Sequence, residues 1–142
     1  MNRNSKLSLA LHSLGHMAAA PERRFRSEDI ATFSNTNAVV VRRVLGKLKR
    51  VGLVTSAKGH AGGWQLAKAP GSISVADVYL ALGEAHYLAE TNEQPSHCAI
   101  ERALFTVYDE AAREAEERLV KKLGDVTIKD LAAEMRHNYP AK

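Results

Sequence analysis

Two groups of residues in this chain could do chemistry. The first is a run of cations, Arg42, Arg43, Lys47, Lys49 and Arg50. Around them Val41, Val44, Leu45 and Leu48 recur at i, i+3, i+4 and i+7, which gives a helix one apolar face. At about 100° per residue the opposite face carries Thr36, Val39, Arg43, Gly46, Lys47 and Arg50, with Arg42 and Lys49 on its flank. That face holds no acidic residue, whereas a merely solvated helix face mixes both signs. Cations so arranged suit phosphate contact, and an exposed Val39 suits a thymine methyl. The second group is a thiol, Cys98, beside His97. At a helix N-terminus and next to an imidazole, it has two reasons for a lowered pKa and so for serving as an oxidisable switch. Neighbouring residues rarely point at one another and no oriented third group is evident, so a Cys–His nucleophile, and with it an enzyme, is not expected.

Elements must position these groups. Residues 27–33 read as a short helix capped by Ser27, with Glu28 and Asp29 in the first turn where the helix dipole favours acids. Residues 34–37 are a polar break. Asn37 is the best N-cap for the basic helix that follows over 38–51, and Gly52 ends it. Thr36 and Asn37 then stand at the helix end that attracts a phosphate. Two short apolar runs, 53–56 and 64–66, flank a tip containing Lys58, Gly59, His60, Gly62 and Gly63. The glycines permit tight turning, and the basic tip suits a minor groove. Trp64 is expected to pack under the hairpin and Phe25 to face the core. Helix, turn, basic helix and hairpin in this order predict a winged helix-turn-helix, with one helix in the major groove.

The rest of the chain supplies support. A first helix is expected from a cap at Ser5 to about Ala20, buried along Leu7, Leu11, Leu14 and Ala18 and stopped by Pro21. His12 and His16 have a spacing that zinc can use, but no third ligand accompanies them and no metal is expected. Ser74 with Asp77, and Thr127 with Asp130, are capping boxes for two further helices. Residues 84–97 are polar and read as a loop. From Ala99 to Leu123 one long helix carries an apolar stripe of Ile100, Leu104, Val107, Ala111, Ala115, Leu119 and Leu123. A two-fold partner is the natural cover for it, since DNA readers of this kind commonly pair on palindromic half-sites. The predicted fold is therefore mainly α with a small β-hairpin wing: a winged helix-turn-helix over residues 1–83, a regulatory loop over 84–98, and a dimerisation helix with a C-terminal helix over 99–142.

Charge separates the halves. Residues 1–70 hold 12 Lys or Arg against 3 Asp or Glu, a balance of +9, while residues 71–142 hold 8 against 13, a balance of −5. The first half has the footprint of a nucleic-acid binder and phosphate would repel the second. At 142 residues the chain is long enough for a proper core. No apolar run approaches the ~20 residues of a membrane span. No signal peptide is recognisable, and one cysteine excludes an internal disulfide. A cytoplasmic protein with double-stranded DNA as partner is expected.

The motifs Val39-Val40-Val41-Arg42-Arg43-Val44-Leu45, Val51-Gly52-Leu53-Val54, Gly62-Gly63-Trp64-Gln65-Leu66-Ala67 and Ile73-Ser74-Val75-Ala76-Asp77-Val78-Tyr79 together resemble the Rrf-two regulators of bacterial transcription. That family includes the iron–sulfur cluster regulator, the nitric-oxide-sensing repressor and the cysteine-metabolism repressor. The resemblance implies a homodimer joined through the long helix, with Asn37, Val39, Val40, Arg42 and Arg43 reading bases and Lys58 taking the role of the wing-tip arginine. Cluster-binding members place three cysteines around the start of the long helix. Here only Cys98 stands there, and His86, His97 and Glu101 would make a poor, hard substitute site. The chain is more similar to the single-cysteine subgroup, although a glycine usual shortly after that cysteine is missing. The expected function is a dimeric repressor released from a palindromic operator by a redox signal at Cys98, without a cofactor. Control by a small ligand near the loop and long helix, or a winged-helix module for protein contact, are the alternatives.

Overall fold

The computed structural model describes residues 6–83 and 97–138, with side chains to Arg136. The expected cap Ser5, residues 84–96 of the regulatory loop and His86 lie outside the described residues. Helix α1 spans Lys6–Ala19, α2 Ser27–Phe33 and α3 Ala38–Arg50. Strands β1 (Val54–Ala57) and β2 (Gly63–Leu66) pair antiparallel, Val54 opposite Leu66 and Ala57 opposite Gly63. A single tight turn at Pro70–Ser72 leads to α4 (Val75–Ala81), and α5 (Ala99–Gly124) and α6 (Ile128–Asn138) follow.

The basic helix forms for the reasons its sequence implies. Asn37 is extended and its side-chain oxygen accepts the backbone N–H of Val40 at 3.0 Å, satisfying an otherwise orphaned donor. Val41, Val44, Leu45 and Leu48 are all buried. Gly52, at φ +78°, turns the chain out of the helix into β1. Both capping boxes are present. Ser74 and Asp77 exchange hydrogen bonds of 2.9 and 3.0 Å, and Thr127 and Asp130 exchange bonds of 2.9 and 3.2 Å. The backbone N–H of Ile128 donates to the carbonyl of Ile73, which ties the start of α6 to the entry of α4.

Two local expectations are corrected. Ser27 does not cap α2. Arg26 is the extended residue before the helix, and it offers no side-chain cap. Ser27 lies inside the first turn because its hydroxyl accepts the indole N–H of Trp64 at 3.0 Å, both groups being buried. Leu7 and Leu11 are not the centre of the buried side of α1. That side is built on Ala10, Leu14 and Met17, with Leu7 and Leu11 at its margin. α1 meets α3, α4, α6 and β2, so a wider sector of it is covered than a single stripe. Ile128 and Ala132 of α6 join this same core.

Trp64 and Phe25 fasten the wing to the helical body. Their backbones exchange two hydrogen bonds, 3.0 Å from Phe25 N–H and 2.8 Å from Trp64 N–H. The preceding Gly63 sits at φ +137°, where a Cβ would come within 2.7 Å of the Phe25 carbonyl oxygen. Against the same corner His16 stacks on His12 (ring centroids 4.8 Å apart) and packs on Phe33 at 4.2 Å. The zinc spacing of the two histidines is thus used for ring packing. Burial, then His12, then Arg23 hold the His16 imidazole below its ordinary pKa.

Two outcomes follow. Gly63→Ala should lower stability by roughly 1–3 kcal/mol, because both φ and the carbonyl contact oppose a Cβ; urea unfolding of the two forms measures it. For His16 the folded state resists protonation. As pH falls below about 6.5 the unfolded chain takes up the proton first and stability drops, until the lowered folded pKa is passed. His16→Gln should therefore lose less stability than the wild type between pH 7.5 and pH 5 when melting curves are compared.

Candidate nucleic-acid interface

The DNA-facing candidates begin at the turn between α2 and α3. Asn35 adopts φ +52°, a left-handed conformation that asparagine tolerates, and this sharp step sets α3 across α2. Thr36 is half-buried there, while Asn37 is exposed with its oxygen committed to the cap. Val39 is 61% exposed and Arg43 and Arg50 are exposed on the same side. With Gly46 between them they form a narrow ridge along the outer face of α3.

The flanks of that ridge are braced from within the chain. The guanidinium of Arg42 donates to Glu28 of α2 at 2.7 Å. The ammonium of Lys49 donates to the Ser56 hydroxyl of β1 at 2.7 Å. Lys47 is half-buried and its ammonium donates to the carbonyl of Leu82, at the end of α4, at 3.2 Å. Val40 packs partly against the core. The structure thus brings Val39, Arg43 and Arg50 together, turns Val40 and Lys47 toward the body, and holds Arg42 at the margin. The partners Glu28, Ser56 and Leu82 had no sequence signal, since each contact joins elements 7 to 35 residues apart.

At the wing tip Lys58, Gly59 and His60 are exposed, with Gly59 at φ +95°. The N–H of Gly62 donates to the Gly59 carbonyl at 2.9 Å, which closes the tip into a rigid turn. The connector before α2 adds Arg23, whose guanidinium lies 4.6 Å from the centroid of the Phe25 ring and 3.9 Å from Asp29. The wing tip and the α3 ridge thus present cations from two elements joined by the Phe25–Trp64 bridge.

The candidate regulatory residues lie at the start of α5. Cys98 is exposed and occupies the cap position of that helix. The backbone N–H groups of Glu101, chiefly, and Ile100 lower the pKa of its thiol, through their partial positive charge rather than a well-formed capping hydrogen bond. His97 is not among the causes; its backbone carbonyl instead accepts the Arg102 guanidinium at 3.3 Å. Along α5 only Ala112 is buried. The helix touches α4 near its C-terminal half, where Gly124 approaches Ala76. The stripe of Ile100 (79% exposed), Leu104 (67%) and Val107 (65%), continued by Ala111, Ala115 and Leu119, faces away from its own chain.

Among the described residues no helix is long and apolar enough to cross a membrane. The Rrf2 family model, described as an iron-dependent transcriptional regulator, matches residues 3–134. A candidate HTH-type transcriptional regulator of Bacillus subtilis, YwnA, is 32% identical over 129 residues, spanning 90% of this chain and 95% of that one. The solved structure of IscR from T. potens superposes with a TM-score of 0.65 at 19% identity, covering 98% of this chain and 91% of that one. CymR of B. subtilis, titled the global cysteine regulator, superposes with a TM-score of 0.63 at 22% identity, covering 92% and 95%.

The donor set present here does not fit an iron–sulfur cluster. Such clusters are held by several thiolates, and the chain has a single cysteine. Among the described residues no three His, Cys, Asp or Glu side chains gather as metal ligands. A matching family model over nearly the whole sequence, a winged helix-turn-helix with a two-stranded hairpin, and relatives that are transcriptional regulators rather than enzymes converge: the chain belongs to the Rrf2 family of DNA-binding transcriptional regulators.

Proposed function

We propose that this chain is a homodimeric repressor which binds a palindromic operator and releases it when Cys98 is oxidised. The observation that carries this reading is the placement of an exposed thiol at the head of a helix whose apolar stripe has no cover within its own chain. Large side chains such as Ile100, Leu104 and Val107 left this open in a row are costly in water. A second copy related by a two-fold axis covers the same residues on both sides at once. Ala111 and Ala115, which add little bulk, let the two helices approach closely.

In such a dimer each α3 ridge enters a major groove and each wing the flanking minor groove. Arg43 and Val39 face base edges, while Arg50 and Lys58 meet phosphate. The two ridges must match half-sites about 34–36 Å apart, so a small rotation at the head of α5 changes the fit to both. Peroxide converts the Cys98 thiolate to a sulfenic acid with release of hydroxide, and a thiol reductant reverses it. The added oxygen places bulk and polarity at the junction where α5 begins. Control thus resides in the spacing of two readers, with the chemistry of reading unchanged.

Two experiments test the reading. Operator affinity of the wild type and of Cys98→Ser, before and after dilute peroxide at fixed salt, should show release for the wild type only. Loss of DNA by both forms would remove the thiol from the mechanism. The double variant Ala111→Glu with Ala115→Glu puts like charges on the proposed seam. It should sediment as a folded monomer and lose its affinity for the palindromic site, and an unaltered dimer would place the interface elsewhere.

A further inference from the structure

Five cations lie on α3, yet they are not equivalent. Arg42 and Lys47 are about 140° apart around the helix and each is drawn to a different neighbour, Arg42 to Glu28 and Lys47 to the carbonyl of Leu82. The second contact is unusual in its setting. α3 and α4 touch only sparsely, so one polar link is a large share of what fixes their angle. Leu82 ends α4, where helix carbonyls lack intrahelical partners and carry the negative end of the helix dipole. An ammonium directed there is stabilised twice, by the hydrogen bond and by the dipole. It is also half-buried, which removes part of the competition from water.

We infer that Lys47 is a positioning residue for DNA reading, in place of a phosphate contact: through Leu82 it sets the tilt of the recognition helix against α4. This rests on the DNA-binding reading of the chain. An ammonium cannot hold the Leu82 carbonyl and a phosphate oxygen some distance outside the body at the same time. Contact with the carbonyl turns Lys47 away from the ridge of Val39, Arg43 and Arg50. Its loss would let the ridge rock in the groove, so that base edges are misread while the number of phosphates neutralised stays the same. Leu82 also immediately precedes Gly83, where the chain turns out of α4 at φ +70°. The tilt of the reading helix is thereby tied to the exit of α4 as well as to the core.

The salt dependence of binding separates the two roles. A lost phosphate contact shallows the slope of log affinity against log salt by about 0.9. A lost positioning contact leaves it unchanged. Wild type, Lys47→Met, Lys47→Arg and Arg43→Ala are titrated with a mixed-sequence duplex and with the duplex that the wild type enriches from a random library. Lys47→Met should keep the wild-type slope and lose roughly fivefold of its preference for the enriched duplex, the low end of what one misread base pair costs. Lys47→Arg, which still reaches the carbonyl, should restore that preference. Should Met at position 47 unfold the chain, Lys47→Gln carries the same two readouts. A slope shallower by about 0.9, or an undiminished preference, overturns the inference while leaving DNA binding intact. A wild type that binds neither duplex overturns the DNA-binding reading and this inference with it.

Discussion

The burial of Val41, Val44, Leu45 and Leu48 on one side of α3 is the constraint on which the rest of this structure depends. With those four side chains taken out of water, rotation of α3 about its own axis is no longer free. Val39, Arg43 and Arg50 are then forced outward together, although nothing in their own chemistry prefers that direction. The asparagine cap at one end and Gly52 at the other keep the helix to the length at which its ridge stays in register with the wing. The wing in turn is held by the paired backbones of Phe25 and Trp64 and by the Trp64–Ser27 hydrogen bond. Reading helix and wing tip therefore behave as one rigid surface in which cations are placed by apolar packing behind them.

Much of this was legible in the sequence, because the signals are local. A four-residue apolar period, an asparagine before it and a glycine after it define α3 without reference to anything else. The two capping boxes at Ser74 and Thr127 are legible for the same reason, each being closed within three residues. What escaped was whatever depended on partners distant in the chain. Ser27 looked like a cap from its neighbours, and only the fold brings Trp64, 37 residues away, to take its hydroxyl. Lys47 and Arg43 look alike on a helical wheel. The difference between them is made by the carbonyl of Leu82, which belongs to another helix. Likewise His97 adjoins Cys98 in the chain, yet the backbone of the following turn acts on the thiol and the imidazole does not.

The charge asymmetry of the chain takes on a structural sense once the helices are placed. The positive half contains every element of the reading surface, α2, α3 and the wing. The negative half contains α5, whose only buried residue is Ala112. A long acidic helix lying along the duplex would be repelled by phosphate, so its charge favours an orientation that leads away from the DNA. The apolar stripe of α5 is then free to meet a partner without competing with the reading surface. Separate electrostatic characters in one small chain thus divide two binding tasks between two faces.

This division also decides where control can act. A modification on the reading surface would alter affinity for all DNA and blur the sequence preference with it. At the head of α5 the same chemical change leaves the cations and their caps untouched and acts only on how two reading surfaces are spaced. Cys98 is exposed there, and its thiol is acidified by the backbone of a 26-residue helix and not by a neighbouring side chain. Acidification by backbone survives most substitutions around it, because the N–H groups are present whatever side chains occupy the first turn. A thiolate maintained in that way needs no dedicated partner, and this accounts for a reactive position that one cysteine can supply without the cluster ligands this chain lacks.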